Sequence, residues 1–145
     1  MIPSKITDEK WERPSTRELW KKLTEVTGLI HANKWLPGDA VGLQADLDEL
    51  ATTFGLETTL REDLITIFVS ALREITPADY AGQHPPKRSY KEQTFNLELF
   101  AFRWKSSFFS GREMYIKFCM TSLADKDRRA FIHSIHPHRT GEDAN

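Results

Sequence analysis

Apolar residues in the first part of the chain recur every three or four positions, which is the spacing of one face of an α-helix. Ser15 and Glu18 form a capping box, in which each side chain can bond the backbone N–H of the other residue. The pattern therefore predicts a helix that begins after Ser15 and ends near Gly28. Its apolar positions are Leu19, Trp20, Leu23 and Val26.

The same spacing predicts further helices up to residue 80. A second helix follows the turn residues Pro37-Gly38-Asp39 and ends at Gly55. A second capping box, Thr59 to Glu62, predicts the start of a third helix. Thr76 followed by Pro77 predicts a short fourth helical turn. The apolar positions of the third helix are Leu64, Ile65, Phe68, Val69 and Leu72.

From residue 95 onward the apolar residues alternate with polar ones, as they do in a strand with one buried face. Three such runs, separated by connectors of hairpin length, predict an antiparallel meander over residues 95–136. Residues 81–94 form a polar loop before it. The expected fold is α+β, with the amino-terminal helices of residues 15–80 on one face of a small sheet. We expect a single domain, 1–145, with a loose leader (1–14) and a flexible tail (137–145).

The alternation assigns each strand residue to a face. The apolar set, expected to face the helices, is Phe100, Phe102, Trp104, Met114, Ile116, Phe118 and Met120. The opposite face would carry Arg103, Lys105, Tyr115 and Lys117, and the preceding loop adds Lys87, Arg88, Tyr90 and Lys91. Cations beside a phenol suit a phosphodiester. A polar face is equally what any one-sided sheet presents to water, so the pattern leaves both interpretations open.

Composition narrows the class of protein. The 145 residues carry 20 Lys and Arg against 21 Asp and Glu, and the basic residues are concentrated after residue 80. Such asymmetry favours an anionic partner for the second half. No apolar run is long enough for a membrane span, and the amino terminus lacks the apolar core of a secretory signal. Cys119 is the one cysteine, which excludes an internal disulfide. We expect a cytoplasmic protein with no membrane partner.

Histidines cluster at the end of the last predicted strand, where His133, His136 and His138 precede Arg139. In a regular strand His133 and His136 point to opposite faces, which argues against a metal site, and no metal or other cofactor is expected. An imidazole that exchanges protons near neutral pH suits acid–base catalysis. A histidine-bearing surface tail is the alternative.

Two stretches resemble motility quorum-sensing regulator toxins, mRNA-cleaving partners of toxin–antitoxin pairs with a RelE-like, barnase-related fold. Residues 114–118 (MYIKF), a turn and residues 132–136 (IHSIH) resemble the carboxyl-terminal hairpin of these toxins. Residues 75–80 (ITPADY) resemble the stretch after their long helix. In this alignment Tyr115 matches the catalytic tyrosine, and His136 stands where the family has a terminal catalytic lysine. Ala81 replaces a further family lysine.

The resemblance implies metal-independent RNA cleavage through attack of the ribose 2′-OH on phosphorus. His136 would act as the general base or acid, with Tyr115 as hydrogen-bond partner or second proton carrier. The implied charge stabilisers are Lys117, Arg103 and Arg139, and the implied RNA-binding residues are Lys87, Arg88, Arg103 and Lys105. An antitoxin or other protein partner is possible in this reading. The alternative is a non-catalytic interaction protein (an antitoxin, an immunity protein or a phage-encoded inhibitor), which the replacement at Ala81 favours.

Overall fold

The structure is a computed structural model that describes residues 13–122 and 124–139. In these residues three α-helices and a four-stranded sheet follow in the order α1, β1, α2, α3, β2, β3, β4. The helices are α1 (Thr16–His31), α2 (Ala40–Phe54) and α3 (Arg61–Glu74), and the strands are β1 (Trp35–Pro37), β2 (Phe100–Ser106), β3 (Arg112–Met120) and β4 (Ala130–Pro137). The predicted α+β class is confirmed. The described helices include none that is long and apolar enough to cross a bilayer.

The predicted start of α1 and the predicted end of α2 are confirmed by their caps, but the predicted end of α1 near Gly28 is wrong, because the helix continues through Gly28 to His31 and its C-cap is Ala32. Ser15 and Glu18 make both bonds of the capping box. Gly55 ends α2 in the left-handed conformation at φ +65°, which glycine adopts without strain. The capping box at Thr59 is wrong, because the residue before α3 is Leu60 and no side chain caps it. Glu62 is then the second helical residue, where the capping-box bond is not made.

The fourth helical segment is a single 3₁₀ turn, Pro77–Asp79. The Asp79 carboxylate accepts the backbone N–H of Thr76 at 2.9 Å and closes the turn. The following residue, Tyr80, pairs with Phe102 by an isolated antiparallel bridge. The turn therefore ties the end of the helical part to strand β2.

The predicted meander is part of a larger, mixed sheet of order β1-β4-β3-β2. Strands β2, β3 and β4 are antiparallel, but β1 adds a parallel pair in which Trp35 lies opposite Ala130. The purely antiparallel sheet expected from the sequence is therefore wrong. Strand β1 was not predicted because it has only three residues and ends in proline. Strand β4, the last of the described strands, is interior to the sheet.

The helices pack on one face of the sheet, as predicted. The seven inward residues assigned from the alternation are all buried in the main core with Leu19, Phe68 and Leu72. The carboxylate of Glu74 at the end of α3 accepts hydrogen bonds from Trp104 Nε1 at 3.1 Å, from Ser106 Oγ and from the backbone N–H groups of Ser107 and Phe108. One side chain thus fastens the β2–β3 connection to the helical layer.

The opposite, outer face of the sheet is not open along its whole length. Leu99, Cys119 and Phe131 form a second buried cluster on this face with Leu36 and Leu97. The loop that precedes β2 folds back over it, since Leu99 N–H donates to Lys87 O and Ser89 N–H donates to Leu97 O. The expectation of a fully polar outer face is therefore wrong at this end.

The leader and tail lie mostly outside the described residues. Residues 1–12 and 140–145 are not described, and of the predicted leader only Arg13 and Pro14 are. The Arg13 guanidinium donates to Pro77 O. The tail residue His138 bonds Glu113 O at 2.8 Å through its backbone N–H. These residues at both ends are therefore held by contacts with the body of the fold.

Candidate active site on the outer sheet face

Three of the candidate residues form one row across the outer face. Arg103 on β2 lies opposite Tyr115 on β3, and Tyr115 lies opposite His136 on β4. Directly opposed residues in antiparallel strands project from the same face with adjacent side chains. The predicted proximity of Tyr115 and His136 is confirmed. We call Arg103, Tyr115 and His136 the outer row.

The two rings of the outer row are in direct contact. The centroids of Tyr115 and His136 are 5.2 Å apart at an interplanar angle of 26°, a stacked arrangement. Nδ1 of His136 lies 2.8 Å from Pro137 O. An Nδ1–H that donates to this carbonyl leaves the lone pair of a neutral imidazole on Nε2. Both rings are well covered, with exposed fractions of 4% for Tyr115 and 5% for His136, so the expectation of an exposed phenol is wrong.

A cavity of about 260 Å³ opens beside the row. It lies between Tyr115 and Arg103 on one side and the 3₁₀ turn with its successors Tyr80 and Ala81 on the other. The Arg103 Nε lies 3.0 Å from Glu113 Oε1, and both side chains are about half exposed. His136 is absent from the cavity wall, so a ligand in the cavity would meet Tyr115 and Arg103 first. Ala81 is thus on the wall beside the cation of Arg103.

A second phenol faces the same cavity. Burial raises the pKa of Tyr80 to about 12. The charge of Arg13, whose guanidinium lies 5.4 Å from the ring centroid, offsets this rise only in part. The Tyr80 hydroxyl donates to Gln83 O at 2.6 Å. Tyr80 therefore stays protonated at neutral pH, and its role in this site is to form part of the cavity wall.

Arg139 lies with carboxylates of helix α2. Its guanidinium contacts Glu49 Oε1 closely and lies 3.8 Å from Asp46 Oδ1. The sequence led us to expect this arginine beside the phosphate, whereas the structure gives it two acidic neighbours. Its positive charge is therefore largely neutralised by carboxylates of the protein itself.

Asp46 is a site residue that the sequence analysis missed. It is 7% exposed, and its Oδ2 accepts the backbone N–H of Ile135, the neighbour of His136, at 3.1 Å. Burial raises the pKa of Asp46, while the charges of His136 and Arg139 and the Ile135 bond oppose that rise. In the sequence Asp46 was one polar residue of an amphipathic helix, and no local signal pointed to β4.

The expected cationic surface divides into two groups. Arg103 and Lys105 lie toward the end of β2, and Lys105 is exposed opposite Glu113. Lys117 lies between Ala101 and Ser134, one row away from Tyr115. Lys87 and Arg88 lie near the start of β2, since Lys87 O accepts the N–H of Leu99. Six residues of strand separate Leu99 from Lys105, or about 20 Å, so the four RNA-binding candidates do not form one patch.

A bulge in β4 changes the phase of the histidines. Lys117 pairs with Ser134 but Phe118 pairs with Ile132, so His133 is an extra residue in β4. As a result His133 and His136 both project from the outer face, and the expectation of opposite faces is wrong. Among the described residues, even so, no group of three or more His, Cys, Asp or Glu side chains is arranged to hold a metal ion.

His133 is part of a buried polar chain. Its Nε2 lies 3.3 Å from Thr94 Oγ1 and 3.6 Å from Cys119 Sγ, and Ser89 Oγ lies 2.7 Å from Thr94 Oγ1. Burial lowers the pKa of His133 to about 4, aided by the charge of nearby Lys117. Burial also raises the pKa of the Cys119 thiol to about 12. A neutral ring beside a protonated thiol is the opposite of an activated nucleophile, so Cys119 is a packing residue.

Comparisons with known proteins identify no relative: no family model matches the chain, and no curated protein or solved structure matches it significantly.

Proposed function

We propose that the protein is a metal-independent endoribonuclease of toxin–antitoxin type that binds an RNA phosphodiester at the outer row. The observation that carries the proposal is the row itself. A cation, a phenol and an imidazole lie side by side on three adjacent strands, and two of them line a polar cavity. These are the group types that cleavage through the 2′-OH requires without a metal. The resemblance of the β3–β4 hairpin to the toxin hairpin supports the same chemistry.

In the proposed reaction His136 Nε2 removes the proton of a ribose 2′-OH. The 2′-oxygen forms a bond to phosphorus as the bond from phosphorus to the 5′-oxygen breaks. Tyr115 passes its proton to the departing 5′-oxygen, or bonds a phosphoryl oxygen while solvent water protonates the 5′-oxygen. Arg103 and Lys117 offset the added negative charge. The products are a 2′,3′-cyclic phosphate and a 5′-hydroxyl end.

Asp46 and Arg139 act in this proposal through His136 and not on the substrate. The Asp46 carboxylate accepts the Ile135 N–H and so fixes the backbone beside the imidazole. The Arg139 guanidinium, which also contacts Glu49, lies 3.8 Å from Asp46 Oδ1. Asp46 is therefore a positioning residue, whose removal alters the His136 environment without removing a substrate contact.

The direct test incubates the full chain with a mixed-sequence RNA in EDTA. We expect discrete cleavage, no cleavage of an oligonucleotide with 2′-deoxyribose at the cut site, and a cyclic phosphate on the upstream product. His136→Ala and Tyr115→Phe should each lower the rate by about 10²–10⁴. His31→Ala, at the exposed end of α1, is the matched control and should cut like the parent.

Because His136 is buried, loss of activity is informative only in a folded variant. Circular dichroism and urea unfolding show whether the His136→Ala and His136→Gln variants are folded. Equal cleavage rates for a folded His136 variant and the parent would remove His136 from the mechanism. A parent that leaves RNA intact in EDTA would exclude the ribonuclease.

A non-catalytic interaction protein is the second candidate, and the low exposure of Tyr115 and His136 is the observation in its favour. Both stacked rings are more than nine-tenths covered, and Arg139 already has carboxylate neighbours. Aromatic rings used in this way stabilise the sheet. An intact RNA in the EDTA assay, with the rings essential only for folding, would favour this candidate.

A further inference from the structure

A second cavity, of about 300 Å³, lies at the other end of the sheet, and three cations from separate segments line it. Lys22 comes from α1, Arg88 from the loop before β2 and Arg128 from the connection between β3 and β4. Five strand residues separate Met120, on its wall, from Tyr115, or about 17 Å. This cationic cavity is therefore distinct from the outer row.

The cations are held in place by few partners. Arg88 Nη1 donates to Asn96 O at 2.7 Å, and Lys22 Nζ lies 5.7 Å from the centroid of the Phe100 ring. Arg128 Nη1 lies 3.2 Å from Glu25 Oε2. The Nε atom of Arg128 is buried and has no hydrogen-bond partner in the described part of the chain. Among the described residues, Glu25 Oε1 is likewise buried without a hydrogen-bond partner. An anion in the cavity would accept charge-assisted hydrogen bonds from the ammonium and guanidinium groups that line it.

The remaining wall suits an anion that carries an organic group. Besides the cations, the cavity is lined by the hydroxyl-bearing residues Thr121 and Ser122 and by the apolar residues Phe100 and Met120. Glu98 also lines the cavity, and Glu25 lies 3.9 Å from Lys22. Three cations thus face two carboxylates, which leaves a small positive excess. The cavity is larger than a bare phosphate needs, and it reaches the lower end of the range for small-molecule sites.

We propose that the cationic cavity binds the phosphate of a phosphomonoester of about nucleotide size. Lys22, Arg88 and Arg128 contact the phosphate oxygens, and the apolar wall accommodates the organic part. A free nucleotide and the 5′-phosphorylated end of an RNA both present this group. The proposal does not depend on the ribonuclease reaction, because it concerns different residues and a binding equilibrium.

Isothermal titration calorimetry of the full chain at low, constant ionic strength tests it with AMP and with a 5′-phosphorylated RNA hexamer. We expect saturable 1:1 binding of at least one probe, and no such binding of adenosine or the 5′-hydroxyl hexamer. Lys22→Ala and Arg88→Ala should each weaken the binding about tenfold. Glu98→Gln should strengthen it by about twofold to fivefold, because it removes an opposing charge.

Lys21→Ala is the matched control, since Lys21 is an exposed neighbour of Lys22 on α1 and is not on the cavity wall. It should bind like the parent. Arg88 is exposed, so its variant should fold even if the removal of Lys22 perturbs α1. Absence of saturable binding for both phosphorylated probes would overturn the proposal. Equal weakening by Lys21→Ala and Lys22→Ala would also overturn it, because it would show diffuse attraction without a site.

Discussion

Gly38 lies so close to His133 that a Cβ at position 38 would come within 2.4 Å of Cδ2 and Nε2 of the imidazole. The Gly38 N–H also donates to Ile132 O at 2.8 Å, which extends the β1–β4 pairing by one residue. The bulged histidine of β4 thus packs directly on backbone at the end of β1. The absence of a side chain at position 38 is what makes room for it.

We expect Gly38→Ala to lower the free energy of unfolding by about 1–3 kcal/mol, the usual cost of overpacking. The His133 ring is buried against Thr94 and Cys119 and has little room to move. Gly28→Ala is the matched control with the opposite sign. A Cβ at Gly28, inside α1, meets no atom within 4 Å, so alanine should stabilise the helix by about 0.5–1 kcal/mol. Urea denaturation measures both, and a neutral Gly38→Ala would contradict the packing described.

The second prediction concerns pH. In the folded state burial lowers the pKa of His133 to about 4, against 6.5 for a histidine exposed to solvent, as in the unfolded chain. The unfolded chain therefore takes up a proton first as the pH falls, and stability is lost between about pH 6.5 and pH 4. The full loss corresponds to about 3 kcal/mol. Above pH 6.5 the titration of His133 should not change the free energy of unfolding with pH.

His133→Gln should remove that part of the pH dependence. Urea denaturation measures the free energy of unfolding of the parent and of the variant at pH 7 and at pH 4.5. The loss on acidification is then compared between the two proteins. His31→Gln, on the exposed last turn of α1, is the control and should keep the parent's profile. If His133→Gln loses as much stability on acidification as the parent does, the histidine is not buried in its neutral form.

The third prediction concerns Glu74. Burial alone would raise the pKa of its carboxyl, but the bonds from Ser106, Trp104 and the backbone of Phe108 and Ser107 together hold that pKa below its ordinary value. Its stabilisation is therefore complete above the unfolded pKa and declines as the pH falls through the folded pKa. Glu74→Ala should cost about 1–2 kcal/mol at pH 7, since the carboxylate is partly exposed.

The effect of Glu74→Ala should appear first in the β2–β3 connection. Amide hydrogen exchange at Ser107 and Phe108 should accelerate, because both N–H groups lose their acceptor. Glu57→Ala, at an exposed position between α2 and α3, provides a comparison that should leave stability unchanged. Unaltered exchange at Ser107 and Phe108 would mean that Glu74 does not anchor the connection.

The fourth prediction concerns the core contact between Phe68 and Trp35. The two rings meet edge to face at 5.1 Å, and Phe68 is fully buried. Phe68→Ala should cost about 3–5 kcal/mol through the cavity that it opens. Phe95→Ala, at a ring that is 69% exposed, should cost little. Similar unfolding midpoints for the two variants would contradict the assigned core.

Features set by neighbours in the chain could be predicted from the sequence. The cap at Ser15 and the left-handed residue Gly55 depend on a few adjacent positions. The alternation in β2 and β3 likewise follows from the period of two, and together with the antiparallel order of β3 and β4 it correctly predicted that Tyr115 lies near His136. These elements carry enough periodic residues for the pattern to be unambiguous.

Features set by distant contacts could not be predicted. Strand β1 has three residues, and only its pairing with β4 makes it a strand. The bulge at His133 has no sequence signature, yet it moves the ring to the other face. Asp46 bonds Ile135 across the fold, and the loop before β2 covers part of the outer face. Each of these depends on residues far apart in the chain, where periodicity carries no information.

The position of β4 between β1 and β3 has a consequence for how the chain acquires its structure. Trp35 has its sheet partner at Ala130, so β1 cannot pair until β4 has been synthesised. During synthesis the β2–β3 hairpin can form alone, but the helices have no complete sheet to cover until β4 emerges. Pairing between segments so distant in sequence slows folding and leaves apolar surface exposed in the meantime. The growing chain should therefore keep the apolar faces of its helices incompletely covered until residues 130–137 have emerged from the ribosome.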